Sequence, residues 1–360
     1  MLKIAINGFG RIGRVLERVN LKQNLFKLVA INDINSDIHN LVYLLKYDTT
    51  YGKLEKDINV VSKNVIDIHG SQMNVFHCEN IQEIPWYDMG IDLIIDASGV
   101  KENYQKIAIY ANKFKHYVAT TDLGNKAKNI ICGVNENTLN FKSDKYLAGS
   151  TCDAAALSPI IKVILSNYEI SHGFLTTLHP WLSYQKLMDS SKISGMQDAD
   201  AYGLGRSSLT SLIPKSTSAV SATNYITPGI INKIESFSYR VPTATVSSAV
   251  LNLTLTTDTT IEKLHQLFSS FEQNQLYKGM YLNKEHLVSI DYSGFDYSCI
   301  IDLRWTKIIN NRNIQIVYWY DNEWSYCCRL ADLIHFITSW YESDIAKHNA
   351  FFENKVPTNV

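Results

Sequence analysis

The residues best suited to covalent chemistry fall in one stretch, Leu147-Ala148-Gly149-Ser150-Thr151-Cys152-Asp153-Ala154-Ala155-Ala156. Cys152 follows small residues and precedes an alanine-rich apolar run, Ala154–Leu165, which reads as a helix. Near a helix N-terminus the free N–H groups and the macrodipole favour an anion, so a thiol there ionises more readily. The same pattern also fits a buried structural cysteine beside a helix. The second candidate is His179, at the end of the strand pattern Gly173–Pro180, with Gln185 and Asp189 after it. A histidine is the ordinary base for a thiol nucleophile, and such pairs are usually distant in sequence. Nine other histidines compete with it, and a histidine at a strand end also fits a purely structural role.

These residues need a scaffold, and the first hundred residues describe one. Lys3–Asn7 reads as a strand, followed by Gly8-Phe9-Gly10-Arg11-Ile12-Gly13 and a helical run, Arg14–Asn20. A second strand, Phe26–Ile31, ends in Asn32-Asp33. Strand, glycine turn, helix, strand and acid together form a dinucleotide-binding pattern. Gly8 permits the tight turn, Gly10 lets a pyrophosphate approach the backbone, and Gly13 allows close packing of helix on strand. Phe9, Arg11 and Ile12 belong to the same binding turn. Asp33 lies 20 residues beyond Gly13, where a carboxylate binds ribose hydroxyls and repels a 2′-phosphate, so NAD is expected over NADP. The turn also fits a glycine-rich connection that holds nothing. Further strands read at Met73–Phe76, Asp92–Ala97, His116–Ala119 and Asn129–Val134. Most are apolar throughout, as strands buried on both faces should be. Ser98, Gly99 and Thr120 then fall at strand C-terminal ends, the ligand edge of an open α/β sheet, or serve only as turn residues.

The totals narrow the class. A chain of 360 residues suits two domains. With 34 basic and 35 acidic residues, it carries no charge excess pointing to nucleic acid or a membrane surface. No apolar run approaches the roughly 20 residues needed to span a bilayer. The N-terminus enters a strand at once, without a signal-peptide layout, and a cytoplasmic location is expected. The six cysteines show neither a CxxC nor zinc-like spacing, so no metal site is expected and reduced thiols are.

Longer motifs add a resemblance. Ile6-Asn7-Gly8-Phe9-Gly10-Arg11-Ile12-Gly13-Arg14, Leu45-Lys46-Tyr47-Asp48-Thr49, Ile84-Pro85-Trp86, Gly133-Val134-Asn135, Arg240-Val241-Pro242-Thr243 and Trp319-Tyr320-Asp321-Asn322-Glu323-Trp324 occur in this order. The chain thereby resembles the glyceraldehyde-3-phosphate dehydrogenases over nearly its whole length, with the erythrose-4-phosphate dehydrogenases sharing the framework. The resemblance implies an α/β fold: a doubly wound Rossmann NAD-binding domain over 1–151, completed by a C-terminal helix at about 325–341. An α+β catalytic domain with a mixed, largely antiparallel sheet is implied for 152–324, and 342–360 reads as a polar tail. It further implies Cys152 as nucleophile, His179 as base, and Asn322 as the partner of the nicotinamide carboxamide. Arg240 would hold a substrate phosphate, Thr217 the attacking phosphate, and Thr151 would keep a hydroxyl where the family has serine. A small aldehyde and inorganic phosphate would be the reacting partners, and the assembly a homotetramer.

Departures from the family pattern cluster at the nucleophile. Thr151-Cys152-Asp153-Ala154-Ala155 stands where the family has S-C-T-T-N. A carboxylate next to Cys152 either raises the thiol pKa or caps the helix and points outward. Leu182 replaces a threonine that binds phosphate in the family. The region 199–206 should supply another arginine, but Gly203 or Leu204 stands there, with Arg206 as the nearest substitute. A buried phosphate without those donors forgoes charge-assisted hydrogen bonds worth roughly 1.5–3 kcal/mol each. The readings left open are oxidation of glyceraldehyde 3-phosphate, the same chemistry on another aldehyde such as erythrose 4-phosphate with water as acceptor, and an NAD-binding paralogue with a regulatory role.

Overall fold

Ile4–Asn7 is fully buried and takes a central place in the first sheet, because all four residues are apolar or find polar partners. A computed structural model describes residues 2–191 and 200–353. Among these, nine strands form one sheet in the order Lys128–Asn129, Tyr146–Ala148, His116–Ala119, Leu93–Asp96, Ile4–Asn7, Leu28–Asn32, Ser71–Phe76, Val65–Ile68 and Ile58–Ser62. The first seven run parallel, and the last two add an antiparallel edge. The order reverses beside Ile4–Asn7, which places the ligand crevice at the carboxyl ends of that strand and Leu93–Asp96.

The glycine turn after Ile4–Asn7 is sterically dictated. Gly8 has φ +90°, and a Cβ there would lie 2.5 Å from the Ser98 nitrogen. A Cβ on Gly13 would lie 2.3 Å from the Gly8 carbonyl oxygen, so the helix Arg11–Gln23 can rest on the strand only with glycine at that point. That helix starts three residues before the sequence expectation.

One expected strand is mostly absent. Of Asn129–Val134 only Asn129 lies in the ladder. Asn135 intercepts the following backbone: its Oδ1 accepts from the Ile131 N–H at 2.9 Å and its Nδ2 donates to the Asn129 carbonyl at 2.9 Å. Gly133 then turns with φ +89°. Ile130, Ile131 and Cys132 stay buried as core without being strand.

The chain passes from Tyr146–Ala148 into the helix Cys152–Leu165, whose residues Ala156, Leu157, Ile160, Ile161 and Ile164 bury against the second sheet. Among the described residues that sheet has the strand order Ile213–Lys215, Ile234–Val241, Ile170–Pro180, Ser247–Leu255, Asn313–Tyr320, Cys299–Asp302, Met280–Asn283, with Lys307–Ile309 also paired to Asn313–Tyr320. It is mixed: Ile170–Pro180 runs parallel to Ile234–Val241 and antiparallel to Ser247–Leu255.

The last helix, Trp324–Glu353, returns to the first domain. Leu330, Leu333, Ile334 and Ile337 join the core packed against the first sheet. It outruns the expected end at 341, so the tail begins later than the sequence suggested. Residues 354–360 and Ala199 lie outside the described residues.

Candidate active site

A sharp turn delivers Cys152. Ser150 is fully buried in the left-handed region at φ +60°, a strained geometry for a residue with a side chain. Tyr326 holds it by sharing its single hydroxyl proton between the Thr120 carbonyl at 2.8 Å and the Ser150 carbonyl at 3.2 Å. Thr151 then caps the helix: its Oγ1 accepts from the Ala154 N–H at 3.2 Å. Cys152 is therefore the first helical residue, two positions earlier than the apolar run suggested.

His179 arrives from the second sheet, in register with Arg240 on the parallel neighbour. Side chains alternate along strands, so Thr177 and Ser238 mark the same face, bonded through their hydroxyls at 2.8 Å. His179 Nε2 lies 3.5 Å from Cys152 Sγ. Its Nδ1 lies 2.8 Å from the Pro180 carbonyl. A carbonyl only accepts, so the proton sits on Nδ1 and the Nε2 lone pair faces the sulfur. The two residues that sequence alone left as separate candidates are thus brought together.

Asp153 settles the choice between capping and facing inward. Thr151 is the cap, and Asp153 turns into the site. Its Oδ1 accepts from the Tyr320 hydroxyl at 2.7 Å and lies 3.6 Å from Cys152 Sγ. Its Oδ2 accepts from Thr217 Oγ1 at 3.2 Å. Burial, then the Asp153 charge, push the Cys152 thiol pKa up, while Arg240 opposes them. Burial, then Arg240, lower the His179 pKa to about 4. Both shifts favour the uncharged forms, a thiol and a neutral imidazole, over the thiolate–imidazolium pair.

Arg240 is buried, with its Nε unpartnered and one terminal nitrogen 3.5 Å from the Tyr184 hydroxyl. An unpaired buried guanidinium is a ready anion site. Arg206 differs: it donates from Nε to Asp189 Oδ2 at 2.9 Å, and two thirds of its side chain is exposed (66%). Its guanidinium is engaged at the surface and not by the Cys152 cluster. Leu182 is half-buried and donates its N–H to Gln185 Oε1 at 2.9 Å.

Four consecutive residues, starting at the last of the strand Asn313–Tyr320, lie between the site and the first domain, and two of them bond across to it. Tyr320 holds Asp153. Asp321 accepts from the Tyr51 hydroxyl at 2.8 Å and from three backbone N–H groups, of Gly294, Glu323 and Trp324. Asn322 is buried with its Oδ1 unpartnered. Glu323 binds Arg11, which also pairs with Asp48. The Arg11 side chain therefore braces the domains, leaving its backbone N–H as the group able to meet a ligand. Tyr320 and Tyr184 carried no individual signal in the sequence.

The dinucleotide turn fits its ligand. Asp33 accepts from the Phe9 N–H at 2.8 Å and the Asn35 N–H at 2.9 Å, so the acid is held beside the glycine turn. Ser98 bonds Asp96 through both Oγ, at 2.6 Å, and its N–H, at 3.0 Å. Gly99 is exposed with φ +77°, and Thr120 follows the strand His116–Ala119. Gly10 is the informative position: no side-chain oxygen caps its helix, and a Cβ there would meet no protein atom within 4 Å. The free N–H groups beside open space could hold a phosphate, Ile12 being half-buried in its first turn. With the orphaned Asn322 oxygen for a carboxamide, the residues present fit NAD.

Comparison with known proteins agrees. The family model for the NAD-binding domain of glyceraldehyde 3-phosphate dehydrogenase matches residues 2–104, and that for its C-terminal domain matches 151–322. The chain is 30% identical to glyceraldehyde-3-phosphate dehydrogenase 2 of Bacillus subtilis (strain 168) over 339 residues, covering 94% of this chain and 97% of that one. It is 32% identical to a cytosolic glyceraldehyde-3-phosphate dehydrogenase of Chondrus crispus, covering 93% and 98%. The same identity and coverage relate it to the Chlamydia pneumoniae enzyme of that name.

Proposed function

The chain belongs to the glyceraldehyde-3-phosphate dehydrogenase family, and from that premise we propose that it oxidises glyceraldehyde 3-phosphate to 1,3-bisphosphoglycerate through a thioester on Cys152. The supporting observation is the 3.5 Å approach of Cys152 Sγ to the unprotonated nitrogen of His179. His179 Nε2 takes the thiol proton as sulfur attacks the aldehyde carbon, giving a thiohemiacetal. The resulting imidazolium donates to the developing oxyanion. NAD, when bound, supplies the hydride acceptor. Loss of hydride leaves a thioester on Cys152. Attack by inorganic phosphate breaks the carbon–sulfur bond, and the sulfur recovers its proton from His179. The dinucleotide turn, Asp33 and Asn322 hold the cofactor; Arg240, Thr217 and Thr151 bind the phosphate groups.

A second reading, oxidation of another aldehyde such as erythrose 4-phosphate with water as acceptor, draws support from Asp153. Its carboxylate bonds Thr217 and repels an anionic acceptor, while Leu182 offers no hydroxyl. The chain is read as a cytoplasmic homotetramer. In favour are the cytosolic relative, six free cysteines, and the exposed Phe174 and Phe237 on the second sheet, whose apolar face calls for cover. No described helix is long and apolar enough to cross a membrane.

The test is NADH formation from phosphorylated and plain aldehydes, with and without inorganic phosphate. Phosphate-dependent turnover of glyceraldehyde 3-phosphate supports the first reading. Phosphate-independent turnover replaces it with the second, and no NADH from any aldehyde rejects both.

A further inference from the structure

Cys152, Asp153 and His179 do more than share a site. Their sulfur, carboxylate oxygen and ring nitrogen all lie within 4.8 Å of one another. We propose that these three side chains form a binding site for a Zn2+-class cation that reversibly withdraws the nucleophile from reaction.

Two of the three edges are those such an ion requires, and the third, from His179 Nε2 to the Asp153 carboxylate, lies within 4.8 Å and closes as the ion binds. Tetrahedral zinc, with Zn–S near 2.3 Å and Zn–N or Zn–O near 2.0–2.1 Å, sets the S···N and S···O edges at about 3.5–3.6 Å. The observed edges are 3.5 Å to His179 Nε2 and 3.6 Å to Asp153 Oδ1. Sequence spacing hid the site because two ligands are adjacent and the third arrives on a strand of the second sheet.

The surroundings orient the ligands as metal sites do. His179 spends its Nδ1 proton on the Pro180 carbonyl, which aims the Nε2 lone pair at the cluster. The carboxylate is steadied by Tyr320 and Thr217. Three protein ligands leave a fourth position for water, the pattern of an open site. The ion displaces the thiol proton to solvent as the sulfur–metal bond forms, and no electron is transferred. Thiolate and carboxylate then balance the dication. Arg240, with a weaker field from Lys215, faces the cluster and opposes the ion, which keeps the binding reversible.

The test uses the full-length protein after chelator treatment, without aldehyde or NAD, so its outcome is separate from that of the dehydrogenase reading. Co2+ titration is expected to give thiolate-to-cobalt charge transfer with tetrahedral d–d bands, and Zn2+ calorimetry one ion per chain. Zn2+ should block alkylation of Cys152 by iodoacetamide, and a chelator should restore it. Asp153→Asn, compared with the parent after each affinity is corrected for the measured Cys152 thiol pKa, should weaken Zn2+ by at least about 10-fold through loss of one ligand, while Cys78→Ser, in the other domain, should bind as the parent does. A cobalt spectrum without sulfur charge transfer, or an unchanged pKa-corrected Zn2+ affinity in Asp153→Asn, overturns the proposal. The cobalt spectrum of the parent protein decides the matter even if the variant fails to fold.

Discussion

Replacing Asp153 by asparagine removes one negative charge while keeping an oxygen to accept from Tyr320. The carboxylate oxygen lies 3.6 Å from Cys152 Sγ. At that separation a unit charge acts on a thiolate with about 1 kcal/mol in bulk water and about 5 kcal/mol at an effective dielectric near 20. These limits correspond to about one to three units of thiol pKa. Tyr320 and Thr217 spread the carboxylate charge, which favours the lower half, about one to two units. The sign is fixed: the carboxylate disfavours the thiolate, so its removal moves the ionisation to lower pH. The assay is the rate of carbamidomethylation of Cys152 by iodoacetamide against pH, with the labelled cysteine located by peptide mass. At a fixed pH below both ionisations, Asp153→Asn should react about 10–100 times faster. A profile that stays in place, or moves to higher pH, refutes the reasoning.

Four further outcomes are expected. Gly13→Ala should lose thermal stability and NAD binding together, because its Cβ meets the Gly8 carbonyl at 2.3 Å. Gly10→Ala should keep the parent melting temperature and lose NAD affinity alone, since only a ligand competes for that space; calorimetric NAD titration separates the two. Glu17 is buried, and burial raises its pKa to about 7 from 4.5. A raised acid binds its proton more tightly when folded, so stability falls as pH rises from about 4.5 to 7. Glu17→Gln should therefore gain more at pH 8 than at pH 5, by up to about 3 kcal/mol in denaturant titrations. His179→Asn should lower the rate of NADH formation by about 10²–10⁴ while leaving NAD affinity unchanged.

The first domain was legible because its constraints are local. Gly8, Gly13 and Asp33 act on neighbours in the same turn, so their spacing carries their geometry. Asn129–Val134 misled because hydrophobicity reports burial and not pairing. Ile130 and Ile131 are buried as a strand would be, yet the Asn135 side chain takes the backbone bonds. At the site, Cys152 and His179 were visible as types, but their meeting depends on a helix and a strand from different parts of the fold. Asp153 had two local options, and the sequence could not choose between them. The choice is made by Tyr320, 167 residues away. Arg206 stood as a substitute phosphate ligand by resemblance; it pairs with the surface acid Asp189. Tyr184 beside Arg240 lies in a loop without periodicity, so no pattern marked it.

The central claim is that Cys152 carries the acyl group. Its most direct test is NADH formation from glyceraldehyde 3-phosphate and NAD by the parent protein and by Cys152→Ala, with folding and NAD binding verified in both. The account predicts steady NADH formation by the parent and none above background by the variant. A Cys152→Ala protein that still forms NADH at a comparable rate would contradict it.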